Sequence, residues 1–257
     1  MILNSESLPR TKAKRIISLV PSITELLFDL GLDEEVIGIT KFCVHPNKWY
    51  QRKQRVGGTK NLNTDLIKQL KPDLIIANKE ENERSQVEEL ANFCNVLLTD
   101  VVDLHGAQQM ITNIGKCTHK SGVARIINKL IKDGFSNLTP LNPPVKCAYF
   151  IWQEPYMIAG KDTFISDLML KCGFINFTDQ DRYPEISLKE LESADCDLIL
   201  LSSEPYPFNI NHLETFRNLL PHKRIELVDG EMFSWYGSRL CRAPLYFQKL
   251  IDSIKIF

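Results

Sequence analysis

The chain has 257 residues, 44% hydrophobic and 25% charged, with a formal net charge of -1. That composition excludes a disordered chain and a membrane-spanning bundle, and the charge balance excludes the broad basic surface that a nucleic-acid partner requires. The length is enough for one large core or two modest ones.

Seven scattered cysteines, Cys43, Cys94, Cys117, Cys147, Cys172, Cys196 and Cys241, include no Cys-x-x-Cys pair, the pattern of free thiols in a reducing compartment. Residues 1–14, MILNSESLPRTKAK, hold no apolar run long enough for a secretory signal. As written the chain reads as cytoplasmic, and as periplasmic if a signal is missing upstream.

In chain order, strand-like runs are expected at Arg15 to Val20, Val36 to Thr40, Leu74 to Ala77, Val96 to Thr99, Lys146 to Ile151, Leu198 to Leu201 and Ile225 to Val228. Amphipathic segments separate them, so the class is α/β with mainly parallel strands. The first strand breaks at Pro21 and turns into a helix. There Ser22 and Glu25 carry the spacing of a capping box, and Gly31 stands where a left-handed residue would end the helix. From His105 to Phe135 an apolar helical rhythm through Met110, Ile114, Val123, Ile126, Ile127 and Leu130 predicts one long helix, followed by the proline-containing linker SNLTPLNPP.

The sequence partly repeats on either side of that helix. Thr24 to Gly31, TELLFDLG, matches Ser166 to Gly173, SDLMLKCG, and Asp73 to Ile76 with Glu80 beyond matches Asp197 to Leu200 with Glu204 at the same distance. Two similar lobes, residues 1–104 and 136–257, joined by a helix over 105–135, are the expected organisation.

Five motifs in order, SLVPSITELLFDLG, VIGITKFCVHP, VGGTKNLNTDLIKQLKPDLIIANKEEN, IAGKDTFISDLMLKCG and YPEISLKEL, resemble the helical-backbone periplasmic-binding-protein superfamily. These are the vitamin B12, haem and ferric-siderophore receptors of ABC importers, and the cobalamin type is the most similar. The resemblance implies two Rossmann-like lobes, a ligand cleft between them and little closure on binding. It also implies a cobalamin-like corrinoid, haem or ferric chelate as ligand, no intrinsic cofactor, and an ABC permease as partner.

The resemblance also assigns positions. Phe42, with His45 beyond it, matches an aromatic on the family's loop after the second strand, while Thr59 and Lys60 stand where the cobalamin receptor has a tryptophan. In the second lobe Trp152, Gln153 and Tyr156 fall on the first cleft loop, Tyr183 replaces a tryptophan, and Trp235, Tyr236 and Arg239 fall on the last. Asp65 matches the first of two acidic permease-docking positions; the second falls on Lys189, with Glu190 beside it.

The residue types agree with such a ligand, because a large flat chelate needs aromatic faces and a few orienting polar groups. Asn78 to Arg84, NKEENER, combines a possible recognition role for Asn78, Glu80, Glu81 and Asn82 with the acidic composition of a helix start. Cys43 and His45, spaced i, i+2, are weak metal-ligand candidates for which no third ligand is visible. No nucleophile motif or phosphate loop is present. The principal expectation is a binding protein and not an enzyme. The alternatives are a cytoplasmic enzyme acting on a cofactor-like ligand through Glu80, Glu81, His45 or Cys43, and a partner-binding scaffold with a vestigial cleft.

Overall fold

The computed structural model describes residues 1–3, 8–9 and 11–255. Two compact units divide the chain: residues 1–101, 105–132 and 235–241 form unit 1, and residues 102–104, 133–234 and 242–257 form unit 2. The division departs from the expected lobes of 1–104 and 136–257 at one place that matters, since residues 235–241 pack with unit 1.

Unit 1 opens with β1 (Ile2–Leu3), β2 (Ile16–Ser18), α1 (Pro21–Asp29), β3 (Val36–Ile39), α2 (Asn47–Arg52) and β4 (Gln54–Arg55). It continues through α3 (Thr64–Leu70), β5 (Leu74–Asn78), α4 (Arg84–Ala91) and β6 (Asn95–Thr99). The strands lie in the order β1-β6-β5-β2-β3-β4 and every pair is parallel. Parallel strands need crossovers, and the helices supply them while covering the sheet faces. Ile17, Leu19, Val56, Ile67, Ile75, Ala77, Val87, Leu90 and Val96 form one core cluster.

The expected long helix over 105–135 is two helices, α5 (Leu104–Cys117) and α6 (Ser121–Ser136). A Schellman-type end closes α5: His119 takes φ 56°, its N–H bonds to Lys116 O, and the Lys120 N–H bonds back to Gly115 O at 2.8 Å. The two helices then fold against each other. The Asn128 amide donates to Gln108 O and Thr112 Oγ1, each at 2.9 Å, and Gln108 Nε2 returns a bond to Asn128 O. The apolar rhythm runs on through the turn without marking one buried face: Met110, Ile114 and Ile127 are buried whereas Val123, Ile126 and Leu130 are exposed, so periodicity alone does not reveal the reversal.

Unit 2 contains β7 (Val145–Trp152), β8 (Met157–Ile158), α7 (Phe164–Cys172), β9 (Phe174–Asn176), α8 (Leu188–Ser193) and β10 (Leu198–Ser202). After these come α9 (Ile210–Leu219), β11 (Arg224–Val228), α10 (Gly230–Ser234) and α11 (Ala243–Lys255). The order is β11-β10-β7-β8, with β9 also paired to β7, and only the β7–β8 pair among the described residues is antiparallel. Its core gathers Phe150, Phe208 and Phe216 with Ile199, Leu201 and Ile225.

The internal repeat has a structural counterpart. β6-β5-β2-β3 of unit 1 and β11-β10-β7-β9 of unit 2 follow the same order and chain logic. α1 and α7 each lead to a left-handed glycine, Gly31 at φ 72° and Gly173 at φ 82°. The capping box at Ser22 and Glu25, in contrast, does not form. Val20 is the N-cap and makes no side-chain cap, with Pro21 in the first turn of α1, where its missing N–H costs no hydrogen bond. Glu25 is engaged elsewhere.

Two stability predictions arise from this packing. A Cβ on Gly115 would lie 2.5 Å from the Ala124 Cβ, whereas one on Gly122 meets nothing within 4 Å. Gly115→Val is therefore expected to lower the urea midpoint by an amount corresponding to about 1–3 kcal/mol of overpacking. Gly122→Ala on the same helical hairpin is expected to be neutral or to raise it.

The second concerns Asp33, which accepts from Arg52 Nη2 at 2.8 and 3.0 Å and from Trp49 Nε1 at 2.5 Å, so fastening α2 to the end of α1. The Arg52 bonds, with help from Trp49 and Lys53, pull its pKa down to about 2. A carboxylate held below its unfolded value near ~4 stabilises the fold above that value, and the contribution fades as pH falls toward the folded one. The difference in urea midpoint between wild type and Asp33→Asn is expected to be full at pH 6 and to shrink steadily on acidification through this range.

Candidate functional site

In each unit the parallel strands deliver their C-terminal ends, and the loops that follow, to one edge of the sheet. Ligands of α/β folds gather at such edges. In unit 1 the loop after β3 carries Lys41 to Pro46, the segment after β4 carries Thr59 and Lys60, and the loop after β5 carries Glu80 and Glu81.

The β3 loop is organised from beneath by Cys43. Its thiol is fully buried, 3.0 Å from Thr24 Oγ1 and 3.1 Å from Thr40 Oγ1, and burial pushes its pKa up. Anchoring Cys43 inward turns its neighbours outward: Phe42 is 51% exposed and Val44 42%. The Phe42 ring lies beneath Lys41 Nζ at 5.1 Å, and its edge runs close to Gly58, where a Cβ would stand only 3.2 Å from Phe42 Cε2. His45 is half-buried with its ring edge-on to Trp235, centroids 5.6 Å apart. Among the described residues no group of three or more His, Cys, Asp or Glu side chains is arranged to hold a metal.

The β4 and β5 loops are tied together. Lys60 is exposed and donates from Nζ to Glu80 O at 2.6 Å, with Glu83 at 3.8 Å. Thr59 is buried, and its carbonyl accepts from Asn82 Nδ2 at 3.0 Å. Within NKEENER the two asparagines are internal braces. Asn78 Oδ1 accepts from the Glu80 and Glu81 backbone N–H groups while its amide donates to Thr99, and Asn82 Oδ1 accepts from the Asn78 N–H. The helix start predicted here lies further on, with Glu83 as the N-cap of α4. Glu80 and Glu81 remain half-buried at the loop surface, and burial raises the Glu81 pKa.

Trp235, Tyr236 and Arg239, expected on the second lobe, pack in unit 1, and all three are buried. Arg239 is occupied by Glu25, to which Nε and Nη2 donate at 2.8 and 2.9 Å, and its guanidinium lies 4.5 Å from the Trp235 ring centroid. Sequence spacing gives no sign of this pair, since 214 residues separate its partners.

In unit 2, β7 ends at Trp152, which is 41% exposed. Tyr206, on the loop after β10, meets it edge-on at 5.7 Å and shares its hydroxyl with His212 Nε2 at 3.2 Å. Sequence reasoning missed Tyr206, although EPYPF is an aromatic, proline-flanked stretch just after a strand. Tyr156 packs against Phe150 and Phe216 of the unit core. Gln153 Oε1 is buried with no hydrogen-bond partner among the described residues. Tyr183 is half-buried on a segment fastened beside β8, where Ile158 N–H bonds to Pro184 O and Gly160 N–H to Arg182 O.

The two expected docking carboxylates stand on exposed helix starts. Asp65 lies in the first turn of α3, bordering a depression of about 470 Å³ lined by Gly57 and residues 61–65. Glu190 closes a capping box with Ser187 at α8, Oε2 accepting from the Ser187 N–H and hydroxyl, and Lys189 beside it is exposed. No helix among the described residues is long and apolar enough to cross a membrane.

This architecture has close counterparts. The family model described as periplasmic binding protein matches residues 16–217. A vitamin B12-binding protein of Pectobacterium carotovorum is 35% identical over 238 residues, covering 90% of this chain and 85% of that protein. An uncharacterized ABC transporter substrate-binding lipoprotein of Bacillus subtilis is 24% identical, covering 98% and 83%. Among solved structures, the periplasmic vitamin B12-binding protein of Vibrio cholerae superposes with a TM-score of 0.80 at 19% identity, over 95% of this chain and 98% of that one. The expected cytoplasmic location finds no support in these relatives, two of which are named as lipoprotein or periplasmic. With the match to its model spanning most of the described fold, this chain belongs to the periplasmic binding protein family.

Proposed function

We propose that the protein is the substrate-binding component of an ABC importer, that it works outside the cytoplasm as its named relatives do, and that it carries a large metal chelate without transforming it. The observation that carries this reading is the pair of exposed aromatics at the C-terminal strand edges, Phe42 in unit 1 and Trp152 in unit 2. Large rings left in water beside polar groups mark a surface waiting for an apolar partner. Lys41, Lys60 and Glu80 supply orienting polarity near Phe42. In unit 2, Gln153, next to Trp152 in the chain, and Tyr183 are the proposed orienting groups.

A corrinoid is the first choice of ligand because of the 35% identical vitamin B12-binding relative, with haem and ferric siderophores next. The polar loop at Thr59 and Lys60, where a cobalamin receptor carries a tryptophan, favours a ligand with a polar rim on that side. Asp65 and Glu190 are the proposed contacts to permease arginines. Glu190 keeps its charge, because the bonds it accepts from the Ser187 N–H and hydroxyl hold its carboxyl below the usual range, whereas Lys189 beside it would repel an arginine.

The test is an absorption spectrum of the purified protein followed by tryptophan-fluorescence titration with cyanocobalamin, haemin, and ferric catecholate and hydroxamate chelates. Saturable quenching by one class is expected at about 1 µM or tighter, corresponding to roughly -8 kcal/mol. Phe42→Ala and Trp152→Ala are each expected to weaken it by about tenfold or more, as loss of a large aromatic anchor does. Lack of response to every class would remove the reading.

A further inference from the structure

A line of four side chains runs from the interior of unit 1 to the loop that bears Phe42. Glu25 stands on α1, buried, with a side chain only 10% exposed. Arg239 grips both of its carboxylate oxygens, at 2.8 and 2.9 Å. The guanidinium lies 4.5 Å from the ring centroid of Trp235, and Trp235 meets the His45 ring at 5.6 Å with an interplanar angle of 68°. Each link is of a kind that fixes orientation: a two-point ion pair, a cation on a π-face and an edge-to-face aromatic contact.

The chain around Arg239 explains why so strong an anchor is present. Residues 235–241 pack in unit 1, yet Ser234 before them and Arg242 after them pack in unit 2. A seven-residue excursion of this kind has little secondary structure of its own, only the short 3-10 turn Ser238–Cys241. It runs close to α1, where a Cβ on Gly237 would lie 2.9 Å from Ser22 O. Among the described contacts of the segment, the Glu25 pair is the one with charge on both sides.

We propose that Glu25 and Arg239 are positioning residues: the ion pair sets the Trp235 indole, and the indole sets the ring of His45 on the loop that presents Phe42 to ligand. Arg239 on this view acts on Trp235 and not on the ligand, because its guanidinium is buried and directed to Glu25. The proposal rests on the reading of the Phe42–His45 loop as part of the binding surface. A lysine keeps the charge at position 239 but lacks the planar fork, so it cannot hold both oxygens and stack at once.

The experiment uses the full chain labelled with 5-fluorotryptophan, whose three tryptophans, Trp49, Trp152 and Trp235, give three fluorine resonances. Trp235→Phe assigns the third, and His45→Asn assigns the His45 ring signals in a carbon-proton spectrum. In Glu25→Gln and in Arg239→Lys the Trp235 resonance and the His45 signals are expected to move. The resonance of Trp49, fully buried in the same unit, is expected to stay and so reports that the fold survives.

Cyanocobalamin affinity, measured as retention of a fluorescence change, is expected to fall about tenfold in either variant and no further in the double variant, as for two residues acting through one path. An unmoved Trp235 resonance in both variants overturns the proposal. So does a moved Trp235 with unmoved His45 signals, which breaks the relay, or a Trp49 resonance lost together with Trp235, which makes the pair a general support of the fold. If wild type binds no cyanocobalamin, the corrinoid reading fails on its own and the resonances still decide the positioning claim.

Discussion

In a parallel sheet every strand runs its C-terminal end to the same edge, and this constraint organises the rest of the molecule. It requires a crossover between successive strands, so helices cover both faces and the loops left over collect at one edge. Unit 1 obeys it through β2, β3, β4 and β5, and unit 2 through β7, β10 and β11. Side chains from distant stretches of sequence are therefore brought to one sheet edge, Phe42 from the loop after β3, Lys60 from the segment after β4 and Glu80 from the loop after β5. Phe42, Lys60 and Glu80 come together for the same reason that Trp152 and Tyr206 do.

A loop edge alone would be a poor binding surface, because polar backbone near a sheet has to be satisfied and side chains there would otherwise be mobile. Buried polar residues beneath each loop meet this need. Asn78 and Asn82 hold the β5 loop to Thr99 and Thr59, and the Cys43 thiol, set between two threonine hydroxyls, holds the β3 loop. Such braces resemble recognition residues in sequence, since amides and thiols serve both purposes. What separates them is burial and partner: groups whose hydrogen bonds are consumed inside are unavailable to a ligand, and the exposed aromatic beside them is what they position.

The helical hairpin α5–α6 and the excursion at residues 235–241 both depend on close approach of backbones, across a short turn in the first case and between segments far apart in sequence in the second. Gly115 against Ala124 lets the helix backbones meet, and Gly237 against Ser22 lets the excursion lie on α1. Small residues at these points carry no periodic signal, so the apolar rhythm from His105 to Phe135 reads as one helix when it is two.

The sequence by itself determined the α/β class, the position of every principal strand to within about two residues, the repeat, and the family. These are written in local composition: β-branched runs, capping residues, left-handed glycines and motifs in fixed order. Phe42 and Trp152 were singled out by the family motifs, and their exposure is shown by the structure. Short edge strands β1, β4, β8 and β9 were not, because two or three residues hold no pattern and form only by pairing with a neighbour already in place. Tertiary structure alone decided that Glu25 leaves its expected cap for Arg239, that Trp235 and Tyr236 belong to unit 1, and that the long helix reverses at His119. For Glu25 and Trp235 a contact with a residue distant in sequence outweighs a local preference of about 1 kcal/mol, whereas the helix reversal is closed by the short turn from Gly115 to Lys120, which apolar periodicity does not mark.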